Sequence, residues 1–532
     1  MAPRTEQTAY DTMPTNNNND SRRNSLAADD NGILIENVYT SDKQRDPLVE
    51  VPGMDDIPED EIFSFRKLWS FTGPGFLMSI AYLDPGNLES DIQAGATGGY
   101  SLLWVLLWST VIGLWLQFLA SRLGVVTGKH LAVHCREYYP VVPRILLWIM
   151  TELAIIGSDI QEVIGTAIAI SILSRGAIPL WAGVLITAAD TFTFLLLENY
   201  GIRKLEAFFC ALITVMAVSF GVEYIIAKPD QLQVLRGVVE PYVNHSNLAE
   251  AVGILGAVVM PHNIYLHSAL VQSRKIDRSS DIQVRTANKY FNIESSIALF
   301  ISFVINLFVV AVFGTGFLGE TIGLSTAADF LGTKYGEVAR YIWAIGLLAA
   351  GQCSTMTGTY SGQFVMEGFL DLKIKPWKRL LITRCSAIVP AIVVAILSNT
   401  HLDSLDEWLN VLQSVQLPFA VLPVLYFTSR SEVMGEKFKN HWLNNIVVRL
   451  LSLIIIAINI YLIVIFATQI STSGWMIAVM IIGFLFYFSF IIYLALGVEN
   501  SNRIAKRIKS IFSSSSSSNQ QYENERLIIN TQ

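Results

Sequence analysis

Ala81-Tyr82-Leu83-Asp84-Pro85-Gly86-Asn87 and Ala257-Val258-Val259-Met260-Pro261-His262-Asn263 decide how this chain folds. Both read Ala-x-x-[Asp/Met]-Pro-x-Asn, and each lies inside a long apolar run. Proline has no N–H and clashes with the carbonyl four residues earlier. Pro85 therefore frees the Ala81 carbonyl, and Pro261 frees that of Ala257. Gly86 loosens the first break further. A carbonyl freed at mid-membrane is costly unless it faces a cavity or a bound ion. A single proline kink in a membrane helix needs no function. Two on one template, each with an Asn and a potential ligand beside the proline, outweigh that reading.

The surrounding sequence is that of a polytopic membrane protein. Of 532 residues, 52% are hydrophobic and 15% charged, against about a quarter charged in soluble domains. Twelve apolar spans are expected, near 68–97, 101–124, 144–174, 179–198, 204–227, 249–272, 290–317, 338–370, 380–399, 406–428, 447–468 and 475–497. With a cytoplasmic N-terminus, 31 Lys and Arg fall in inner segments and five in outer loops. The positive-inside rule then puts both tails in the cytoplasm. The sequon Asn244-His245-Ser246 falls in an outer loop and makes Asn244 a glycosylation candidate. The breaks occupy the first and sixth spans. Five spans followed by five more insert in opposite senses, and interrupted spans in matched halves point to a transporter binding site. Residues 1–64 and 498–532 are polar, with an Asn run at Asn16–Asn19 and a Ser run at Ser513–Ser518, and are expected to be disordered. The net charge of −7 and the lack of a basic domain argue against a nucleic-acid partner. None of the four cysteines falls in an expected outer loop, so no disulfide framework is expected.

Between them the breaks offer the Asp84 carboxylate, the Asn87 amide oxygen, the Met260 thioether and the carbonyls of Ala81 and Ala257. Oxygen-only sites suit Mg²⁺ and Ca²⁺, whereas thioether sulfur favours softer transition metals. Fe²⁺ or Mn²⁺ is the expected cargo, with Co²⁺, Zn²⁺ or Cd²⁺ as alternatives. Methionine in a membrane span is usually only packing; its place before Pro261, opposite Asp84, argues otherwise here.

Asp84-Pro85-Gly86-Asn87 and Met260-Pro261-His262-Asn263 resemble the two signature motifs of the Nramp (natural resistance-associated macrophage protein) transporters, without substitution. The resemblance runs over residues 65–497. It implies an all-α LeuT-like fold of twelve transmembrane helices: two inverted five-helix repeats (roughly 68–227 and 249–428) and two extra helices (447–497). It implies proton-coupled import of Fe²⁺ or Mn²⁺ into the cytosol, with no further cofactor and no enzymatic activity. The metal ligands implied are Asp84, Asn87, Met260 and the Ala257 carbonyl, with the Ala81 carbonyl joining in some conformations. A polar residue of span ten is also implied. Counting back from Leu417-Pro418 places it at Asn410, with Gln413 or Gln416 as alternatives.

Span three carries Glu152, Asp159 and Glu162, whose offsets put them near one helical face. Intramembrane charge costs about 2.5–3.5 kcal/mol on insertion scales, so such residues are functional candidates. The bland reading is an ion pair with Arg379 or Arg384. The functional one is a proton relay with His262 and His267, carrying a proton from the site inward; the resemblance implies a proton role for the span-three acids and the signature His262, with a span-nine base near them that Arg379 fits better than Arg384. Glu89 and Asp91 line an outer vestibule or are wet surface. Asp190, Glu223, Glu294 and Glu367 read as structural pairing without a nameable partner. Near the C-terminus, Glu523, Leu527 and Ile528 resemble an acidic dileucine signal read by sorting adaptors, which favours an endosomal, lysosomal or phagosomal membrane over the plasma membrane. The competing readings are a LeuT-fold carrier of amino acids or amines, a non-transporting metal sensor, and a membrane enzyme.

Overall fold

A computed structural model describes residues 49–51, 63–198, 202–244, 247–371, 376–397, 402–470, 478 and 480–498. The body is built from α1 (Pro74–Ile80), α2 (Pro85–Gly98), α3 (Leu103–Thr127), α4 (Val141–Leu173), α5 (Leu180–Glu198), α6 (Ile202–Ala227), α7 (Leu248–Val258), α8 (Pro261–Leu270), α9 (Asp281–Gly316), α10 (Glu337–Leu370), α11 (Pro376–Leu397), α12 (Leu402–Gln416), α13 (Pro418–Ser429), α14 (Trp442–Ile470) and α15 (Met480–Val498). These fall where the twelve spans are expected, three of them as broken pairs. Eight helical stretches among the described residues are long and apolar enough to cross a membrane.

Burial sorts centre from rim. In 248–273, which holds α7 and α8, 94% of the most apolar window is buried, against 22% in Trp442–Tyr461. The second broken span is therefore the axis of the molecule, and the extra helices lie outside it. Trp108, Val218, Ile225, Leu450, Leu453 and Leu485 are exposed on the rim helices. Apolar side chains on the rim suit contact with lipid.

Three breaks organise the core. Each has a proline at the first position of its second half: Pro85, Pro261 and Pro418. The third, at Leu417, is a kink that the sequence reading passed over as part of one span. The halves sort by side. α2, α7 and α12 pack on one another, while α8 packs on α1 and α13. The breaks thus lie side by side, between two layers of half-helices.

The start of α1 is fixed by a long-range carboxylate. Glu294 of α9 accepts hydrogen bonds through Oε1 from the N–H groups of Gly73, Gly75 (3.0 Å) and Phe76 (3.4 Å). These are donors that a helix N-terminus leaves unpaired, and the carboxylate faces the positive end of the dipole. Arg274 braces the same end. Its buried guanidinium bonds the Ser70 and Thr72 carbonyls (3.1 and 2.7 Å) and pairs with Glu206 (2.9 Å). Val49, within the segment expected to be disordered, pairs through its backbone with Ser273 and Lys275 (2.9 and 3.1 Å), and Val51 is buried beside Phe71 and Val271.

Glu294→Ala leaves several buried N–H groups without an acceptor, a cost on the order of 1–3 kcal/mol. The expected result is a lower melting temperature of the purified protein in detergent, with Glu294→Gln, which keeps an acceptor oxygen, recovering most of the loss. An unchanged melting temperature in the alanine variant would remove the cap from the account.

Candidate metal site

In the first break α1 ends at Ile80, and Asp84 starts α2 in extended conformation (φ −72°, ψ 166°). Asp84 is a capping residue by chemistry. Its Oδ1 accepts from the Asn87 N–H (2.8 Å) and the Asn87 Nδ2 (2.7 Å). That leaves Asp84 Oδ2 and Asn87 Oδ1 buried without a hydrogen-bond donor. Both residues are 1% exposed. The cap that shapes the backbone thus also points two unused oxygens into the break. The Ala81 carbonyl, stripped of its normal donor by Pro85, receives a long bond from Asn87 Nδ2 (3.4 Å). Its neighbour Tyr82 is satisfied through its carbonyl by Asn306 Nδ2 (2.7 Å), and the Ser79 carbonyl accepts from Ser302 (2.9 Å). α9 therefore braces the first break from behind.

The second break runs through Val259 (φ −105°, ψ 85°) to Met260, the extended residue that starts α8. Ala257 is fully buried and Met260 nearly so. The Ala257 carbonyl is opposite Pro261, which has no N–H to give it. Five donors therefore belong to the two breaks: carboxylate, carboxamide, thioether and two carbonyls. Buried polar atoms are normally paired; the unpaired Asn87 Oδ1 beside the unpaired Asp84 Oδ2 is what a cation needs.

Asn410 lies on α12, which packs on α2, α4 and α7. Its Nδ2 donates to the Gly86 carbonyl (3.3 Å) and to Ser90 Oγ (3.0 Å), so it touches the first break. Its backbone also approaches the second: a Cβ on Gly256 would lie 3.0 Å from the Asn410 carbonyl. The structure thus brings Asn410 to the breaks. Gln413 and Gln416 are also buried, each with an amide oxygen that lacks a donor.

The expected proton route is gathered in part. Asp159 and Glu162 are buried and converge on Gly358 of α10: a Cβ there would crowd the Asp159 carboxylate and lie 3.4 Å from both Glu162 oxygens. His262 sits one turn away, where Ser361 Oγ donates to its carbonyl (3.2 Å). His262 and His267 are buried; neither ring nitrogen of His267 has a hydrogen-bond partner, and Nδ1 of His262 has none. Glu152 is only half-buried, with Leu153 beside it exposed, so the three acids do not share one environment. The side chains of Arg379 and Arg384 lie outside the described residues, as do Glu523, Leu527 and Ile528. Asn244 is exposed.

Two readings change. Glu89 and Asp91 are not wet surface: they are 0% and 1% exposed, and Glu89 accepts from the Leu324 N–H and from Gln93 (2.6 Å). The Leu324 N–H that Glu89 accepts comes from a segment remote in sequence. Glu294, expected to pair, does so as a helix cap. Glu223 is buried with Oε1 lacking a hydrogen-bond partner, so no structural pairing is seen for that atom. Sequence reasoning missed Gln161, Ser90 and Asn306, all uncharged residues that become legible only through their contacts.

Residues 75–465 match the family model described as natural resistance-associated macrophage protein-like. The chain is 70% identical over 497 residues to a metal transporter nramp1 homolog of Dictyostelium discoideum, covering 93% of this chain and 92% of that protein. It is 54% identical to natural resistance-associated macrophage protein 2 of Homo sapiens, covering 83% and 84%. A crystal structure of the Eremococcus coleocola manganese transporter superposes with a TM-score of 0.73 at 32% identity, covering 83% of this chain and 96% of that one. With the family model spanning most of the chain and both breaks in place, the protein belongs to the Nramp family, on the LeuT-like fold of two inverted five-helix repeats and two further helices.

Proposed function

We propose that the protein is a proton-coupled symporter that moves divalent transition metals, Fe²⁺ or Mn²⁺, across a membrane into the cytosol. One observation carries this reading: two adjacent helix breaks hold buried, unpaired oxygens of Asp84 and Asn87 in company with a buried methionine. The curated relatives include metal transporters, and the solved relative is a manganese transporter.

Asp84, Asn87, Met260 and the carbonyls of Ala257 and Ala81 supply the ligands, and Asn410 adds an oxygen from α12. The single carboxylate sets the charge of the site. Protonated, Asp84 is neutral and a poor ligand; ionised, it binds metal, so metal entry displaces its proton. His262, His267, Asp159 and Glu162 carry that proton inward, with Glu152 further along α4 and Arg379 or Arg384 holding the acids. Met260 discriminates against Ca²⁺, which prefers oxygen alone. A carrier of amino acids would need a place for the substrate carboxylate, and Asp84 beside Met260 does not suit one. The relatives' names also weigh against a sensor or an enzyme.

Both tails are assigned to the cytosol by the Lys and Arg asymmetry, with Asn244 on the opposite face and open to glycosylation. An endosomal, lysosomal or phagosomal membrane, reached through adaptors that read Glu523, Leu527 and Ile528, would supply an acidic lumen and hence the gradient.

The test is uptake of radiolabelled Mn²⁺ or Fe²⁺ by proteoliposomes. An inward proton gradient should accelerate uptake; indifference to the gradient would refute the coupling. Asp84→Asn, folded by size-exclusion profile, should abolish uptake, and normal uptake would refute its ligand role. Met260→Ala should admit Ca²⁺ while reducing Mn²⁺ uptake less. If Ca²⁺ stays excluded, sulfur is not the filter.

A further inference from the structure

Three buried carboxamides form a line with a single polarity. Gln413 Nε2 donates to Gln161 Oε1 (2.7 Å), Gln161 Nε2 donates to Asn410 Oδ1 (2.9 Å), and Asn410 Nδ2 donates to the Gly86 carbonyl (3.3 Å). The far end sets the direction. A backbone carbonyl can only accept, so Asn410 must turn its NH₂ to Gly86 and its oxygen to Gln161. Gln161 must then present its own NH₂ to Asn410 and its oxygen to Gln413. Reversing any one amide puts oxygen against oxygen or NH₂ against NH₂ in a site where Gln161 and Gln413 are 0% exposed. Unpaired amides are costly there.

Gln161 also fills the space behind the first break. A Cβ on Gly86 would lie 2.7 Å from Gln161 Oε1 and 2.8 Å from its Nε2. The glycine between Pro85 and Asn87 is therefore the surface on which this amide rests. On α4, Gln161 is about 200° round from Asp159, at about 100° per residue. One side of α4 turns its acids to Gly358 of α10, and another turns this amide to the metal site.

We propose that Gln161 is the positioning residue for the span-ten ligand: it decides which end of the Asn410 amide can face the cargo. This rests on the reading above that Asn410 contributes a ligand oxygen. With its NH₂ tied to Gly86 and Ser90, Asn410 keeps the end that would repel a cation on protein acceptors. Its oxygen takes one N–H from Gln161 and retains a second lone pair for the metal. Partners of this kind, one bond removed from the metal, orient ligands and typically change affinity 10–100-fold when lost.

The experiment measures Mn²⁺ binding to the purified full-length protein by calorimetry and Mn²⁺ uptake in proteoliposomes. Gln161→Leu removes the relay; Gln161→Met, unbranched, does so with less disturbance and decides the matter should the leucine variant not fold. The expected result is a rise of about tenfold in Kd and KM for Mn²⁺, with the maximal rate within about twofold of the parent. Asn410→Ala should give a similar rise, and combining it with Gln161→Met should add nothing, since both remove one oriented oxygen. A packing role would lower the rate or the melting temperature and leave KM alone. An unchanged Kd in the methionine variant, or effects that add in the double variant, overturns the proposal. Asp84→Asn separates the two levels. If it abolishes binding while Gln161→Met binds as the parent does, only the positioning role falls; if it still binds Mn²⁺, the metal-site reading falls.

Discussion

A backbone carbonyl without a donor, held away from water, is the constraint on which this molecule turns. Prolines 85 and 261 create two of them in neighbouring spans, and membrane helices tolerate such groups only where protein or a cavity receives them. The rest of the core can be read as the answer. Asn306 and Ser302 of α9 take up the carbonyls of Tyr82 and Ser79, which do not face the site. Ala81 is left with a long contact to an amide that itself has an unused oxygen. What is satisfied and what is left open separates scaffold from site.

The scaffold is held from both ends. Glu294 and Arg274 fix the start of α1, while Asn410 and Gln161 fix the start of α2. The short linker from Ala81 to Asp84 therefore joins two anchored pieces. A site held on anchored half-helices can be preorganised and still change when one half moves, which is how a carrier exposes one site to two sides in turn.

Much of this was legible in the chain. The repeated Ala-x-x-[Asp/Met]-Pro-x-Asn template located both breaks and their ligands, because proline's effect on a helix is local and acts within four residues. The spans were legible for the same reason: lipid imposes one rule on every residue of a helix. What depended on distant partners was not. Gly73 and Glu294 are 221 residues apart, and no local signal joins them. Glu89 reads as a candidate for wet surface because Leu324, whose N–H it accepts, comes more than two hundred residues later. Spacing placed Glu152 with Asp159 and Glu162, but periodicity cannot see that α4 leaves the buried zone near Leu153. Gln161 sits next to Glu162 among the acids of span three, yet its role is not legible there, since an uncharged amide acquires meaning only from what it touches.

The central claim is that the two breaks together make one mixed oxygen and sulfur cradle. X-ray absorption fine structure on Co²⁺ bound to the purified protein tests it most directly, by counting the atoms around the metal. The expected spectrum fits one sulfur scatterer among oxygens, and the sulfur shell vanishes in Met260→Ala. A metal bound stoichiometrically in an all-oxygen shell in the parent protein would contradict it.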